Sequence, residues 1–314
     1  MYDVSILVCT YNREKYLPKC LKGLAEQDYD IDKFEIIVID NNSSDSTASI
    51  VSEFQKEHDK LICRYFLETQ QGLSFARNRG IKESKAPIIA FIDDDAIAEP
   101  DWLRFLLVPF NNPQVVGVGG KIELQFLAPC PDWINKKWYL EYQPSVGEPF
   151  PASDGKWPIG ANMALRREAL KDMEEPFNTS LGRKGELLLA GEETDLFRRL
   201  NKMGGLIMIQ PQAMVQHLIP PERLTKQYFM RTNFGHGITK VTKQLKKNPR
   251  KKLLIGINAI FEVMISYIIY LFTIITFRQR QVIMRRYFKY YRYLGKLSAL
   301  GILPKFLRKS VMIN

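Results

Sequence analysis

The sequence predicts an α/β protein with a mostly parallel central sheet flanked by helices. Short apolar runs alternate with amphipathic segments: DVSILVCTYN then REKYLPKCLKGLAEQ, FEIIVIDNNSSDST then ASIVSEFQKEH, LICRYFLE then GLSFARNRGIKES, and PIIAFIDDD then PDWLRFLLVPF. Near-continuous runs of β-branched and aliphatic residues are typical of parallel strands that helices cover on both faces. The repeated strand–helix order therefore indicates the α/β class.

Polar side chains close three of the four predicted strands. The positions are Thr10, Tyr11 and Asn12 after the first strand, Asp40 after the second, and Asp93, Asp94 and Asp95 after the fourth. In sheets of this class, ligands bind in the crevice beyond the carboxyl ends of the strands. These residues therefore predict a polar ligand site at one edge of the sheet.

The three consecutive aspartates predict a divalent-metal site. Adjacent carboxylates repel one another, and a hard cation with oxygen ligands, Mg²⁺ or Mn²⁺, removes that repulsion. Such an ion keeps some positions for water and substrate phosphates. A solvated acidic turn is the alternative, but the position at the end of a buried strand favours a metal with a diphosphate ligand.

Phosphate also needs cationic partners, and the usual phosphate loops are missing from this sequence. Neither GxxxxGK[ST] nor a GxGxxG after the first strand occurs. The segment GLSFARNRG places Arg77 and Arg79 on a helix that leads to the aspartate strand. A guanidinium group can bind phosphate oxygens through paired hydrogen bonds. We predict that Arg77 faces the site and that Arg79 faces solvent.

A second acidic cluster lies far downstream in LLLAGEETDLFRRLNKMG. Glu192, Glu193 and Asp195 fall in the first turn of a predicted amphipathic helix. The helix dipole alone favours carboxylates there, so a structural role is one interpretation. The other is a general base held near the cleft. Together the two acidic clusters suggest that one holds metal and the other moves a proton.

The net charge of +11 indicates the kind of binding partner, and the four cysteines indicate the cellular compartment. A basic excess attracts anionic partners. Much of it lies beside an apolar stretch near the C-terminus, so we expect an anionic membrane surface as partner and no nucleic acid. The cysteines show no CxxC spacing, which favours reduced thiols and a cytosol-facing compartment.

That apolar stretch is Leu253–Phe277, in which Glu262 is the only acidic or basic residue. It is long enough to cross a bilayer. Basic segments flank both ends, and a single span would place one of them outside, against the positive-inside tendency. We therefore favour a membrane-seated or re-entrant hairpin with both ends cytoplasmic over a single span or a soluble helix packed on the catalytic domain. The Tyr- and Arg-rich segment 285–293 is expected to be interfacial.

The order and approximate spacing of five segments resemble family 2 glycosyltransferases: VSILVCTYNREKYLPKCLKGL, IIVIDNNSSDST, GLSFARNRGI, FIDDDA and GEETDLFRRL. The resemblance covers about residues 3–240. It implies a GT-A fold, in which residues 1–240 form the catalytic domain. Within it, residues 1–120 would bind the nucleotide sugar and residues 121–240 the acceptor. Residues 241–314 would form a basic and apolar helical region for membrane association.

The resemblance also implies a set of donor-binding positions. Asp40 would accept a hydrogen bond from the nucleobase, Arg77 would lie near the diphosphate, and Asp93 would lie near the ribose. The full set predicted to bind the nucleotide sugar is Thr10, Tyr11, Asn12, Asp40, Arg77, Asp93 and Asp94.

The aspartate run resembles the DXD motif of this family, which implies a metal site. Asp95 would be the main ligand of Mn²⁺ or Mg²⁺, with Asp93 beside it. In GT-A enzymes a late histidine sometimes completes the metal or diphosphate site, and here that position falls on His217.

The family's usual base is an aspartate preceded by a glutamate, and this chain has Glu193 at that place. The change moves the carboxylate outward by one methylene group, so Glu192 and Asp195 stay as alternatives. The implied reaction is direct displacement at the anomeric carbon of a nucleotide sugar, with inversion. Glu193 would deprotonate the acceptor hydroxyl.

The segment WPIGANMALRREAL resembles the family's acceptor-side segment. It predicts acceptor contacts from Trp157, Gly160, Ala161 and Asn162, where a glycine allows close approach of the backbone.

The predicted function is transfer of a hexosyl or N-acetylhexosaminyl group from a nucleoside-diphosphate sugar, with UDP favoured by Asp40. The acceptor would be a glycan or lipid-linked hydroxyl, used for cell-surface polysaccharide synthesis on the cytoplasmic side of a membrane. Two other classes stay open: a metal-dependent nucleotidyltransferase, and a membrane-bound sugar-binding scaffold with a dead site.

Overall fold

The computed structural model describes residues 2–138, 148–152, 156–185, 187–276 and 279–304. The strands are β1 (Val4–Thr10), β2 (Phe34–Asp40), β3 (Cys63–Leu67), β4 (Ile88–Asp93), β5 (Ala96–Ala98), β6 (Val115–Phe126), β7 (Phe150–Pro151), β8 (Asn162–Arg166) and β9 (Leu206–Ile219). The helices are α1 (Leu17–Ala25), α2 (Thr47–Glu57), α3 (Leu73–Glu83), α4 (Trp102–Leu107), α5 (Glu192–Lys202), α6 (Lys226–Lys247), α7 (Lys252–Thr276) and α8 (Arg280–Ala299). The predicted α/β class is confirmed.

The described strands form one sheet in the order β3-β2-β1-β4-β8-β6-β9-β5, with β7 paired to β9. β1 runs parallel to β2 and β4, and β2 runs parallel to β3. β8 is antiparallel to β4 and β6, and β5 is antiparallel to β9. The strand–helix repeats seen in the sequence thus build the parallel half, and the later strands make the sheet mixed.

Successive side chains of β1 point to opposite faces of the sheet, and each face packs against an apolar layer. Ile6 and Val8 belong to the layer on one face, and Leu7 packs with Ile37 and Phe91 on the other. Each fully buried aliphatic side chain contributes about 1.5–3 kcal/mol. A shift of one residue would exchange the two faces, so this burial fixes the register and the positions of the strand ends.

The chain divides into two compact units. The first contains Met1–Gln125, Leu140–Thr179 and Glu192–Ile219, which include most of the sheet. The second contains Phe126–Tyr139, Ser180–Gly191 and Pro220–Asn314, which include α6, α7 and α8. The domain boundaries predicted at residues 120 and 240 stay predictions.

In the second unit, α8 packs against both α6 and α7. Trp133 and Trp138 contact Phe229 and Phe288 in an aromatic cluster. Within the described ranges, one helical stretch, Pro249–Thr276, is long and apolar enough to cross a membrane by length and composition. Helix α7 is continuous through this stretch, and the membrane-seated or re-entrant hairpin stays a prediction.

Candidate active site

The carboxyl ends of β1, β2 and β4 lie side by side. Thr10 is in register with Asp40, and Cys9 is in register with Asp93. The parallel ladder therefore brings together polar strand ends that are distant in the sequence. Thr10, Asp40 and the aspartate run share one edge of the sheet.

Three side chains at this edge could hold a metal ion. Asp93, Asp95 and His217 each offer a ligand atom, and these atoms lie within 4.8 Å of one another. Ala96 pairs with His217 across β5 and β9, which places the imidazole next to Asp95. His217 Nε2 lies 2.9 Å from Asp95 Oδ1. Two carboxylates and an imidazole fit a divalent cation, and the nitrogen donor makes the set softer than the all-oxygen shell that Mg²⁺ favours.

Asp94 is buried in the same turn. Burial, and then the charge of Asp95, raise the pKa of Asp94 to about 7. The guanidinium of Arg13 lies 4.0 Å from Asp94 and 3.9 Å from Asp95. Sequence reasoning missed Arg13, although its position directly after the polar end of β1 was a usable signal.

Arg77 joins the two acidic clusters. Its Nη1 donates to Glu192 Oε1 over 2.9 Å, and its Nη2 lies 3.5 Å from Asp93 Oδ1. The side chain of Arg77 is 3% exposed, and its guanidinium group lies over the ring of Phe177. A methyl group at Gly160 would lie 2.1 Å from Nη2, so the glycine makes room for the charge. A buried arginine needs such carboxylate partners to offset its lost hydration.

The acid pair, Glu192 and Glu193 at the start of α5, lies beside the buried guanidinium group of Arg77. Burial, and then the charge of Glu192, raise the pKa of Glu193 to about 8, while Arg77 opposes the rise. In the described part of the chain, neither Glu192 Oε2 nor Glu193 Oε2 has a hydrogen-bond partner. A carboxylate with a pKa near neutrality suits a general base. Its assignment as the base stays a prediction.

Two charged side chains near Arg77 form their ion pairs elsewhere, within their own helices. Asp195 accepts a hydrogen bond from Arg199 one turn along α5, at 3.1 Å. Arg79 pairs with Glu83 on the outer part of α3, at 2.8 Å. Arg77 and Glu192 therefore point inward, while Arg79 and Asp195 are engaged locally.

The residues predicted to meet the nucleobase lie at and just after the carboxyl ends of β1 and β2. Asp40 is 2% exposed and accepts hydrogen bonds from Tyr65 Oη and the Ser43 amide. Asn12 has a positive φ of 52° and its Oδ1 accepts from the Ser44 amide. Tyr11 beside it is exposed. Their contacts with a base stay predictions.

The predicted acceptor residues lie mostly inside the protein. Trp157 and Ala161 are buried. Asn162 is fully buried: its Oδ1 accepts from Trp102 Nε1 at 2.8 Å, and its Nδ2 donates to the Lys121 and Ala213 carbonyls. The side chain of Asn162 thus ties three strands and α4 together. A direct acceptor contact from this segment stays a prediction.

Comparison with known sequences adds independent evidence. The model of "Glycosyl transferase family 2" matches residues 5–174, more than half of the chain. The chain is 25% identical over 244 residues to a Haloferax volcanii protein named glucosyl-dolichyl phosphate glucuronosyltransferase, covering 76% of each chain.

Comparison with solved structures supports the fold. The mannosyltransferase PcManGT from Pyrobaculum calidifontis, in complex with GDP-Man and Mn²⁺, has a TM-score of 0.60 and 19% identity, covering 99% of this chain and 76% of that one. Residues 1–349 of S. aureus TarS, in complex with UDP, give a TM-score of 0.56 and 17% identity, covering 95% of this chain and 91% of that one.

Proposed function

The chain belongs to glycosyl transferase family 2, and we propose that it transfers a sugar, with inversion, from a nucleoside-diphosphate sugar to a hydroxyl group. The position of Arg77 between Asp93 and Glu192 is the main support. Because one guanidinium contacts a member of the metal-type cluster and a member of the acid pair, this contact supports a single site. Direct displacement needs a group that holds the diphosphate and a proton acceptor near one anomeric carbon, and we assign these two roles to the metal-type cluster and the acid pair.

Asp93, Asp95 and His217 are the residues that would hold the cation. When bound, a divalent cation supplies charge stabilisation for the diphosphate leaving group. A carboxylate–imidazole set fits Mn²⁺, which is the ion in the PcManGT complex.

The chain's own residues account for the remaining work. Arg77 carries five N–H donors, so hydrogen bonds remain for phosphate oxygens beside the one to Glu192. Glu193 takes the proton of the acceptor hydroxyl while the acceptor oxygen bonds to the anomeric carbon and the bond to the diphosphate breaks. Burial keeps Arg77 away from water, which strengthens its attraction for developing negative charge.

The acceptor class is proposed from the relatives and from the helical unit. The H. volcanii relative carries a dolichyl phosphate acceptor in its name. We extend this to a glycan or lipid-linked hydroxyl used in polysaccharide synthesis. The apolar helix α7 and the basic charge beside it support a location on the cytoplasmic side of a membrane.

Calorimetry tests the donor site. UDP, GDP, dTDP and CDP are titrated into the protein with and without Mn²⁺, and we expect UDP to bind most tightly and only with the metal. A folded protein that binds none of them would overturn the proposed donor class. The corresponding sugar nucleotide is then offered with a lipid-linked glycan: release of nucleoside diphosphate supports transfer, and release of pyrophosphate would indicate a nucleotidyltransferase.

A further inference from the structure

Helix α7 exposes apolar side chains around most of its circumference. Its buried residues are small and recur along one stripe: Gly256, Ala259, Ser266 and Thr273. The exposed ones include Leu253, Leu254, Phe261, Met264, Ile268, Phe272 and Ile275. Small residues allow close helix packing, so this stripe is the side that meets its neighbour and the larger side chains have no protein cover in the described chain.

The neighbour is α8, which runs antiparallel along the length of α7. Tyr270 contacts Tyr287 with ring centroids 5.3 Å apart, and Glu262 forms an ion pair with Lys296. Positions later in α7 therefore meet positions earlier in α8. The part of α7 from Glu262 to Tyr270 therefore has α8 at the same level.

A pocket lies where the middle of α7 meets α8. Ile265 and Ile269 form its apolar wall, and Arg286 and Lys289 form its basic side, with Tyr293 beside them. Both Arg286 and Lys289 are exposed. Glu262 also lines the pocket, but its carboxylate is already paired with Lys296. The pocket thus combines an apolar wall with two cations, which matches a phosphate group that carries hydrocarbon.

The pairing of the two helices restricts how they can meet a bilayer. If α7 crossed the membrane, the pairing would carry α8 to the same depth, with Arg285, Arg286, Lys289 and Arg292 in or near the hydrocarbon. Charged side chains at that depth are costly. If α7 lies in the plane of the interface, its exposed apolar side chains reach the acyl chains and the cations stay at the level of the headgroups.

We propose that α7 and α8 lie flat on an anionic bilayer and that Arg286 and Lys289 bind the phosphate of an anionic phospholipid in this pocket. The arrangement is independent of the transfer reaction. It places α7 in one leaflet, with no crossing of the membrane.

Flotation of the full chain with lipid vesicles tests this. The vesicles contain phosphatidylcholine alone or with phosphatidylglycerol. The variant R286Q/K289Q is compared with K56Q/K60Q, which removes two exposed charges, one in the last turn of α2 and one three residues after it. Since the substituted side chains are exposed, both variants should keep the thermal unfolding midpoint of the parent chain.

We expect the parent chain to favour vesicles that contain phosphatidylglycerol. R286Q/K289Q should lower that partition coefficient about 25-fold, because each basic side chain near an anionic surface contributes about fivefold. K56Q/K60Q should keep the parent value, and 1 M NaCl should weaken binding of the parent by screening.

Three results would overturn the proposal. One is equal binding of the two variants. The second is equal binding of the parent chain to both kinds of vesicle, or binding that salt does not change. Either result would indicate that the helices insert without binding a lipid phosphate in the pocket. The third is full displacement by inorganic phosphate at matched ionic strength, which would assign the pocket to free phosphate.

Discussion

From the raised pKa of Glu193 we predict how the transfer activity depends on pH. As a general base it acts only when ionised, so activity should rise as the pH increases through its pKa. Burial and the nearby charge of Glu192 bring that pKa to about 8. About one-tenth of the groups are then ionised near pH 7 and about nine-tenths near pH 9, so kcat/KM should rise about tenfold over that interval.

The assay is sugar transfer at saturating Mn²⁺, measured as kcat/KM from pH 6 to 9, because that parameter reports the free enzyme. Glu193→Gln should lower activity by about 10²- to 10⁴-fold and remove the pH-dependent limb, while leaving nucleotide binding intact. Asp195→Asn is the matched control: this carboxylate lies in the same helical turn but pairs with Arg199, so its loss should leave the limb in place.

Glu192→Gln tests whether the charge of Glu192 is a cause of the raised pKa of Glu193. The charge of Glu192 raises the pKa of Glu193, so its removal should shift the limb to lower pH. A flat profile in the parent chain, or a limb that survives in Glu193→Gln, would refute the assignment of Glu193 and redirect it to Glu192. A limb that stays in place in Glu192→Gln would refute the electrostatic coupling.

Three further predictions concern other parts of the first unit. Asp95→Asn should abolish Mn²⁺-dependent binding of nucleoside diphosphate in calorimetry, whereas the exposed Asp132→Asn should not; retained metal-dependent affinity would contradict the ligand role. Gly160→Ala should displace the Arg77 guanidinium, because the added methyl would lie 2.1 Å from Nη2, and lower kcat/KM by up to about 100-fold; an unchanged value would show that the group can move without loss. Trp102→Phe should leave Asn162 Oδ1 buried without its 2.8 Å donor and lower the unfolding free energy by about 1–3 kcal/mol in urea; a change below about 0.5 kcal/mol would mean that another donor replaces it.

Several features of the site followed from local patterns. Strand β4 is recognisable because a buried strand is apolar almost without interruption, and the aspartates that follow it must then lie at the sheet edge. The first turn of α5 is recognisable from its carboxylates and its amphipathic repeat. Both patterns involve residues that are close in the sequence, so they can be recognised without the structure.

Other features depend on contacts between distant parts of the chain. Arg77 and Glu192 are 115 positions apart, yet they form a buried ion pair. No local pattern distinguishes Glu192, which meets this arginine, from Asp195, which pairs with Arg199. The role of Asn162 is similar: the sequence suggested an acceptor contact, whereas the structure places its amide among backbone carbonyls and Trp102 in the core.

The α/β class, the polar strand ends and the apolar character of α7 could all be predicted from the sequence, because hydrophobic periodicity and burial act through neighbouring residues. The contact of His217 with Asp95, the position of Arg77 between two acidic clusters and the placement of α8 cations along α7 are visible only in the folded chain. These contacts join residues far apart in the sequence, so the packing of a whole sheet and of a helix pair fixes which charges meet.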